Sequence, residues 1–138
     1  MLSTDDVRPG NFTITAADTA AAGDDLTINS GVTVNSTGGS VTLNVGDNVF
    51  FQQNATVAAA NGIVVNFDSG AADSGTGGVS FLEGTFTSSS VTINGGADDD
   101  FFGIEPASFL NTPVTIDGGG ALNRIEFDLT GVTNPELT

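Results

Sequence analysis

The sequence predicts an all-β chain, specifically a right-handed parallel β-helix (β-solenoid). Three observations lead there. First, Val91-Thr92-Ile93-Asn94-Gly95-Gly96 recurs as Val114-Thr115-Ile116-Asp117-Gly118-Gly119, 114 − 91 = 23 residues later. A strand and a diglycine turn repeated at a period in the twenties mark a unit that cannot bury its apolar face alone and must stack on its neighbours. Second, short β-branched runs bounded by Gly, Asn, Asp and Ser recur along the chain, while helix signals are nearly absent. Third, ten Phe stand with 19 Gly and no Trp, Tyr or Cys. Small residues suit tight corners, and Phe, Val, Ile and Leu fill a narrow interior.

The elements follow in order. Strands are predicted at Phe12–Thr15, Leu26–Asn29, Val32–Asn35, Val41–Asn44, Val49–Gln52 and Ala55–Ala58, then at Ile63–Asn66, Val79–Phe81, Thr85–Thr87, Val91–Asn94, Pro113–Asp117 and Arg124–Phe127. Many share the template apolar, Thr, apolar, Asn or Asp. With a period of two the apolar pair points inward, and the Asx suits a corner because its side chain can bond the backbone two residues on. The Ala-rich stretch 16–22 is too short for a helix and runs into Gly23-Asp24-Asp25. Val41 to Ile63 is 22 residues but Ile63 to Val91 is 28, so the excess is expected in a loop over 68–78. At roughly 22 residues per coil the chain makes about six coils. It reads as a single domain over residues 1–138, a segment or subunit of a larger array. A β-sandwich is the alternative; it predicts hairpin turns and does not account for the near-identical repeat.

Charge narrows the function. Seventeen Asp and Glu face two basic residues, Arg8 and Arg124, for a formal net charge of −15, with no Lys and no His. Such a chain repels nucleic acid and anionic membrane surfaces. No apolar run approaches the roughly 18 residues of a membrane span, and the first residues carry neither the basic nor the apolar region of a signal peptide. His, Cys, Lys and Tyr, the usual bases, nucleophiles and proton donors, are all missing. The carboxylates lie in repetitive turns, so catalysis is not expected and no catalytic residue is assigned.

Gly95-Gly96-Ala97-Asp98-Asp99-Asp100-Phe101-Phe102-Gly103 resembles the calcium nonapeptide of the repeats-in-toxin (RTX) family, G-G-x-G-x-D-x-U-x, at both glycines, Asp100 and Phe102. The copy starting at Gly118 matches at both glycines and at Ile125. It departs at Ala121, where glycine is expected, and at Asn123, where an amide replaces the carboxylate. More loosely, the chain looks like the β-solenoid repeats of large bacterial surface and adhesin-type proteins. The resemblance implies calcium held by oxygen ligands in Gly-Asp turns, with Asp98, Asp100, Asp117, Asn123 and, more weakly, Asp128 as side-chain candidates. It also implies a bacterial protein at the cell surface or outside the cell.

The other Gly-Asx turns, at Asp24–Asp25 and Asp47–Asn48, read as plain corners. The adjacent pairs Phe50-Phe51 and Phe101-Phe102 must face opposite sides of a strand, so one of each is expected under a loop or at a contact patch. Outward Thr27, Thr33, Thr42, Thr92 and Thr115 resemble the threonine arrays of ice-binding solenoids, but uneven coil lengths spoil a lattice. The expected function is a non-catalytic stalk, matrix or filament module that associates through coil ends or with neighbouring segments of a longer chain. An adhesin or carbohydrate-binding module that takes cell-surface glycans on the same scaffold is the alternative.

Overall fold

The structure, a computed structural model, describes residues 1–21, 23–70, 72, 78–105, 109 and 112–129. The chain is all-β and its sheets are parallel. Fourteen strands are present among the described residues: β1 (Asp6–Arg8), β2 (Phe12–Ala16), β3 (Leu26–Ile28), β4 (Thr33–Ser36), β5 (Val41–Val45), β6 (Val49–Phe51), β7 (Thr56–Ala59), β8 (Ile63–Asn66), β9 (Val79–Leu82), β10 (Thr85–Thr87), β11 (Val91–Asn94), β12 (Phe101–Ile104), β13 (Val114–Asp117) and β14 (Arg124–Phe127). Sheet I runs β1-β4-β7-β10, sheet II β2-β5-β8-β11-β13 and sheet III β3-β6-β9-β12-β14. The chain therefore visits the three sheets in turn, and each strand pairs with the strand one round later. Every strand pair is parallel, which removes the sandwich alternative, since that needs antiparallel hairpins.

The described strands make four rounds and two strands of a fifth, and the rounds are unequal. In sheet II, Val41 pairs with Ile63 and Val91 with Val114, 22 and 23 residues apart, but Phe12 pairs with Val41 and Ile63 with Val91, 29 and 28 apart. The variation is concentrated at the corner from sheet II to sheet III, which takes residues 17–25, 46–48, 67–78, 95–100 and 118–123 in successive rounds. The corner from sheet I to sheet II holds only three or four residues each time. The expected loop at 68–78 falls at the variable corner; its residues 71 and 73–77 lie outside the described residues.

Twelve strands lie where the sequence places them, within a residue or so at each end. Two do not. β1 carries charges, and β12 has a glycine in a stretch that reads as a turn. Alternation drives the packing: β5 is buried at Val41, Leu43 and Val45 and half-buried at Thr42 and Asn44. Inward residues from all three sheets join one apolar core, each large side chain contributing about 1.5–3 kcal/mol. Phe51 and Phe102 point into this core while Phe50 and Phe101 face outward and are half-buried, as alternation requires. Inside, Phe51 meets Phe86 edge-on at 4.8 Å, Phe86 stacks on Phe109 at 4.7 Å, and Phe67 meets Phe102 edge-on at 5.1 Å. Outside, the Arg124 guanidinium of the next round lies over Phe101, 5.3 Å from its ring centre. The outward threonines of sheet II, Thr13, Thr42, Thr92 and Thr115, are interrupted at Val64.

Candidate functional site

The corner between sheets II and III gathers the acidic residues. Asp18, Asp24, Asp25, Asp47, Asp68, Asp98, Asp99 and Asp100 all stand in it. Eight carboxylates along one edge repel one another, so something must hold them. The hydrogen bonds answer in large part: the carboxylates accept backbone N–H groups, mostly from neighbouring rounds. Asp47 accepts from the amides of Gly23 at 2.6 Å and Asp24 at 2.9 Å. Asp25 accepts from the Asn48 amide and side chain, Asp18 from Ala72, and Asp99 from Leu122. A corner cannot complete a sheet ladder, and these side chains satisfy amides that would otherwise be left without partners.

Asp100 is the most buried of them, at 2% exposure. Its two carboxylate oxygens accept from Gly78 and Gly96, both at 2.9 Å, and its own amide donates to the Asn123 side-chain oxygen at 2.8 Å. Burial pushes its carboxyl above the usual range; the Gly78 and Gly96 amides pull against that shift, and the charges of Asp98 and Asp99 add to it. Asn123 then donates to the carbonyls of Gly118 and Gly120. The diglycine has a steric cause here. A Cβ at Gly95 would overlap the Asp100 carboxylate, and one at Gly96 would overlap Asp68. Ala121, at the position where the nonapeptide has glycine, keeps a left-handed backbone with φ 48°.

The five candidate ligands divide. Asp100 and Asn123 are brought together, and Asp98 is half-buried in the same turn. Asp117 stands at the end of β13 and accepts from the Gly119 amide at 2.9 Å, an Asx turn. Asp128 does not join them: it lies beyond the other end of β14, five residues from Asn123, or about 16 Å along a strand. Among the described residues no three acidic side chains converge on a point that could hold a metal ion.

The template Asn was expected to turn the chain, and it does something else. Asn66 donates to the Asn44 side-chain oxygen at 2.8 Å, and Asn94 donates to that of Asn66 at 2.7 Å. Stacked in register about 4.8 Å apart, amides link donor to acceptor through successive rounds. The signal was present in the sequence as Asn at the fourth template position of three equivalent strands. The next position in register is Asp117, whose ionised carboxylate can only accept, so the ladder ends there.

A second feature lies at the C-terminal ends of the sheet III strands. A groove of ≈ 770 Å³ is lined by Phe101, Ile104, Phe127 and the acidic residues Glu83, Glu105, Glu126 and Asp128. No helix among the described residues is long and apolar enough to cross a membrane. Compared with known protein families, curated proteins and solved structures, the chain matches none.

Proposed function

We propose that the chain is a non-catalytic structural module, a right-handed parallel β-solenoid that stiffens a stalk, matrix or filament at a bacterial surface or outside the cell. The observation that carries this reading is the polar bonding between rounds. The Asn44–Asn66–Asn94 ladder and the corner carboxylates direct side chains that could serve a ligand toward the neighbouring round instead. A body built this way resists bending and has few side chains left over for chemistry. The absence of His, Cys, Lys and Tyr from the sequence supports the non-catalytic part.

Calcium belongs to the proposal as an ion drawn to the acidic corner by the net charge of −15. Asp100 already accepts two amides, so a cation there takes its oxygens mainly from Asp98, Asp117 and turn carbonyls. The test is far-UV circular dichroism and thermal melting in chelator, followed by calcium titration. A cooperative β-type melt in chelator that moves upward with calcium supports both parts. An unchanged melt removes the calcium part, and a chain that is unfolded under both conditions refutes the module.

The groove on sheet III favours a second reading, a glycan-binding module, because it sets aromatic rings beside carboxylates that can accept sugar hydroxyls. Specific retention on a glycan array, lost on Phe101→Ala, would replace the purely structural reading.

A further inference from the structure

We infer that Asn61 is a site of spontaneous covalent modification, where the side-chain amide closes onto the Gly62 nitrogen and leaves aspartate or isoaspartate at the corner between sheets I and II. The inference needs only the strand register around that corner. It stands whether or not the chain binds calcium or a glycan.

The chain contains two Asn-Gly sequences, Asn61-Gly62 and Asn94-Gly95. Closure is least hindered before glycine, because no Cβ shields the attacking nitrogen. The fold treats the two pairs differently. Asn94 ends β11, and its side-chain amide donates to the Asn66 side-chain oxygen at 2.7 Å. The Gly95 N–H donates to the Asp117 carbonyl at 2.8 Å. Both reacting groups of that pair are held in other bonds.

Asn61 is exposed and stands in the corner 60–62, between β7 and β8. Among the described residues nothing bonds to its side chain, and nothing accepts the Gly62 N–H. The backbone on either side is anchored all the same. The Asn61 N–H donates to the Gly39 carbonyl at 3.1 Å, and the Gly62 carbonyl accepts from Val41 at 3.0 Å. The corner thus leaves free the two groups that must meet.

The step balances with water as the only co-reactant. The Gly62 nitrogen gives up its proton to solvent and attacks the Asn61 side-chain carbonyl carbon. A C–N bond forms there, the bond from that carbon to Nδ2 breaks, and ammonia leaves after taking up a proton. Water then opens the cyclic imide. Opening at the side-chain carbonyl gives aspartate. Opening at the main-chain carbonyl gives isoaspartate, whose backbone runs through the side chain and is longer by a carbon. That carbon falls between the bonds to Gly39 and Val41, so it strains the pairing of β8 with β5. Either product adds a negative charge to a chain already at −15.

Incubation of the full chain at mildly alkaline pH tests this, read by ammonia release and by peptide mass mapping of each asparagine. In the folded chain Asn61 should convert about tenfold or more faster than Asn94, and in urea the two rates should converge. Gly62→Ala should slow Asn61 about tenfold by covering the nitrogen. A Cβ at Gly62 would lie 3.5 Å from the Ser90 hydroxyl oxygen, an ordinary contact, so the fold is kept, and the melt of the variant checks it. Asn61→Gln, whose longer side chain closes poorly, should abolish release from this corner. The fully converted protein should melt below the fresh one. Equal rates at Asn61 and Asn94 in the folded chain overturn the inference. So does an Asn61 that stays intact while the unfolded chain converts, or a rate indifferent to Gly62→Ala. A converted chain that melts like the fresh one overturns the strain at the corner.

Discussion

Replacing Asp117 with Asn separates two uses of one position. In the ladder, Asp117 is where the chain of amides stops: Asn94 lies in register beside it, and a carboxylate has no hydrogen to donate to the Asn94 oxygen. An asparagine keeps an oxygen for the Gly119 amide, now 2.9 Å from Asp117, and gains an N–H directed at Asn94. A net side-chain hydrogen bond is worth about 0.5–1.5 kcal/mol, and position 117 is exposed, so the lower half of that range applies, about 0.5–1 kcal/mol. For a chain of 138 residues the unfolding entropy makes this a rise in Tm of about 2–3 °C. The substitution also removes one unit from a net charge of −15, which acts in the same direction. Differential scanning calorimetry of both proteins, in chelator and in calcium, reads it. A rise of that size under both conditions is expected. A fall in chelator refutes the ladder as described. A fall confined to calcium shows that the carboxylate was holding the ion.

Three further outcomes follow from the same structure. Asn66→Ala removes the bonds to Asn44 and Asn94 together and should lower stability by about 1–3 kcal/mol, read as a shifted urea midpoint. The Asp100 carboxyl is raised above its ordinary 3.8, so the folded state holds that proton more tightly than the unfolded one. Its contribution is full below about 3.8 and is lost as pH rises through the folded value, and a urea midpoint that falls between mildly acidic and neutral pH, less steeply in Asp100→Asn, checks it. Ala121→Gly relieves a left-handed backbone of φ 48° at the cost of some unfolded-chain entropy, for a net gain of about 0.5 kcal/mol in thermal melts; a loss would mean the turn is held by the Ala121 methyl.

The local pattern was legible to a large extent. Alternation and turn residues are short-range properties, so the template placed twelve strands and the 23-residue copy aligned β11 with β13 in the register observed. β12 escaped because Phe101-Phe102-Gly103 continues a glycine-aspartate run, and only pairing with β9 and β14 makes it a strand. β1 escaped because Asp6 and Arg8 break the apolar alternation, and only pairing with β4 makes it a strand.

What tertiary structure alone decided is the use of the polar residues. A carboxylate in a Gly-Asp turn has the same local sequence whether it holds an ion, faces water or caps an amide; the choice depends on what the next round brings within 3 Å. For Asp47, Asp99 and Asp100 it brings backbone N–H groups 22 to 24 residues away in sequence. The same holds for the asparagines, which bond to each other only because the rounds stack in register. Composition and periodicity determined that the chain would form short strands and be strongly acidic. Stacking determined where that acidity went, because hydrogen-bond partners between rounds are chosen by distance in space and not by distance along the chain.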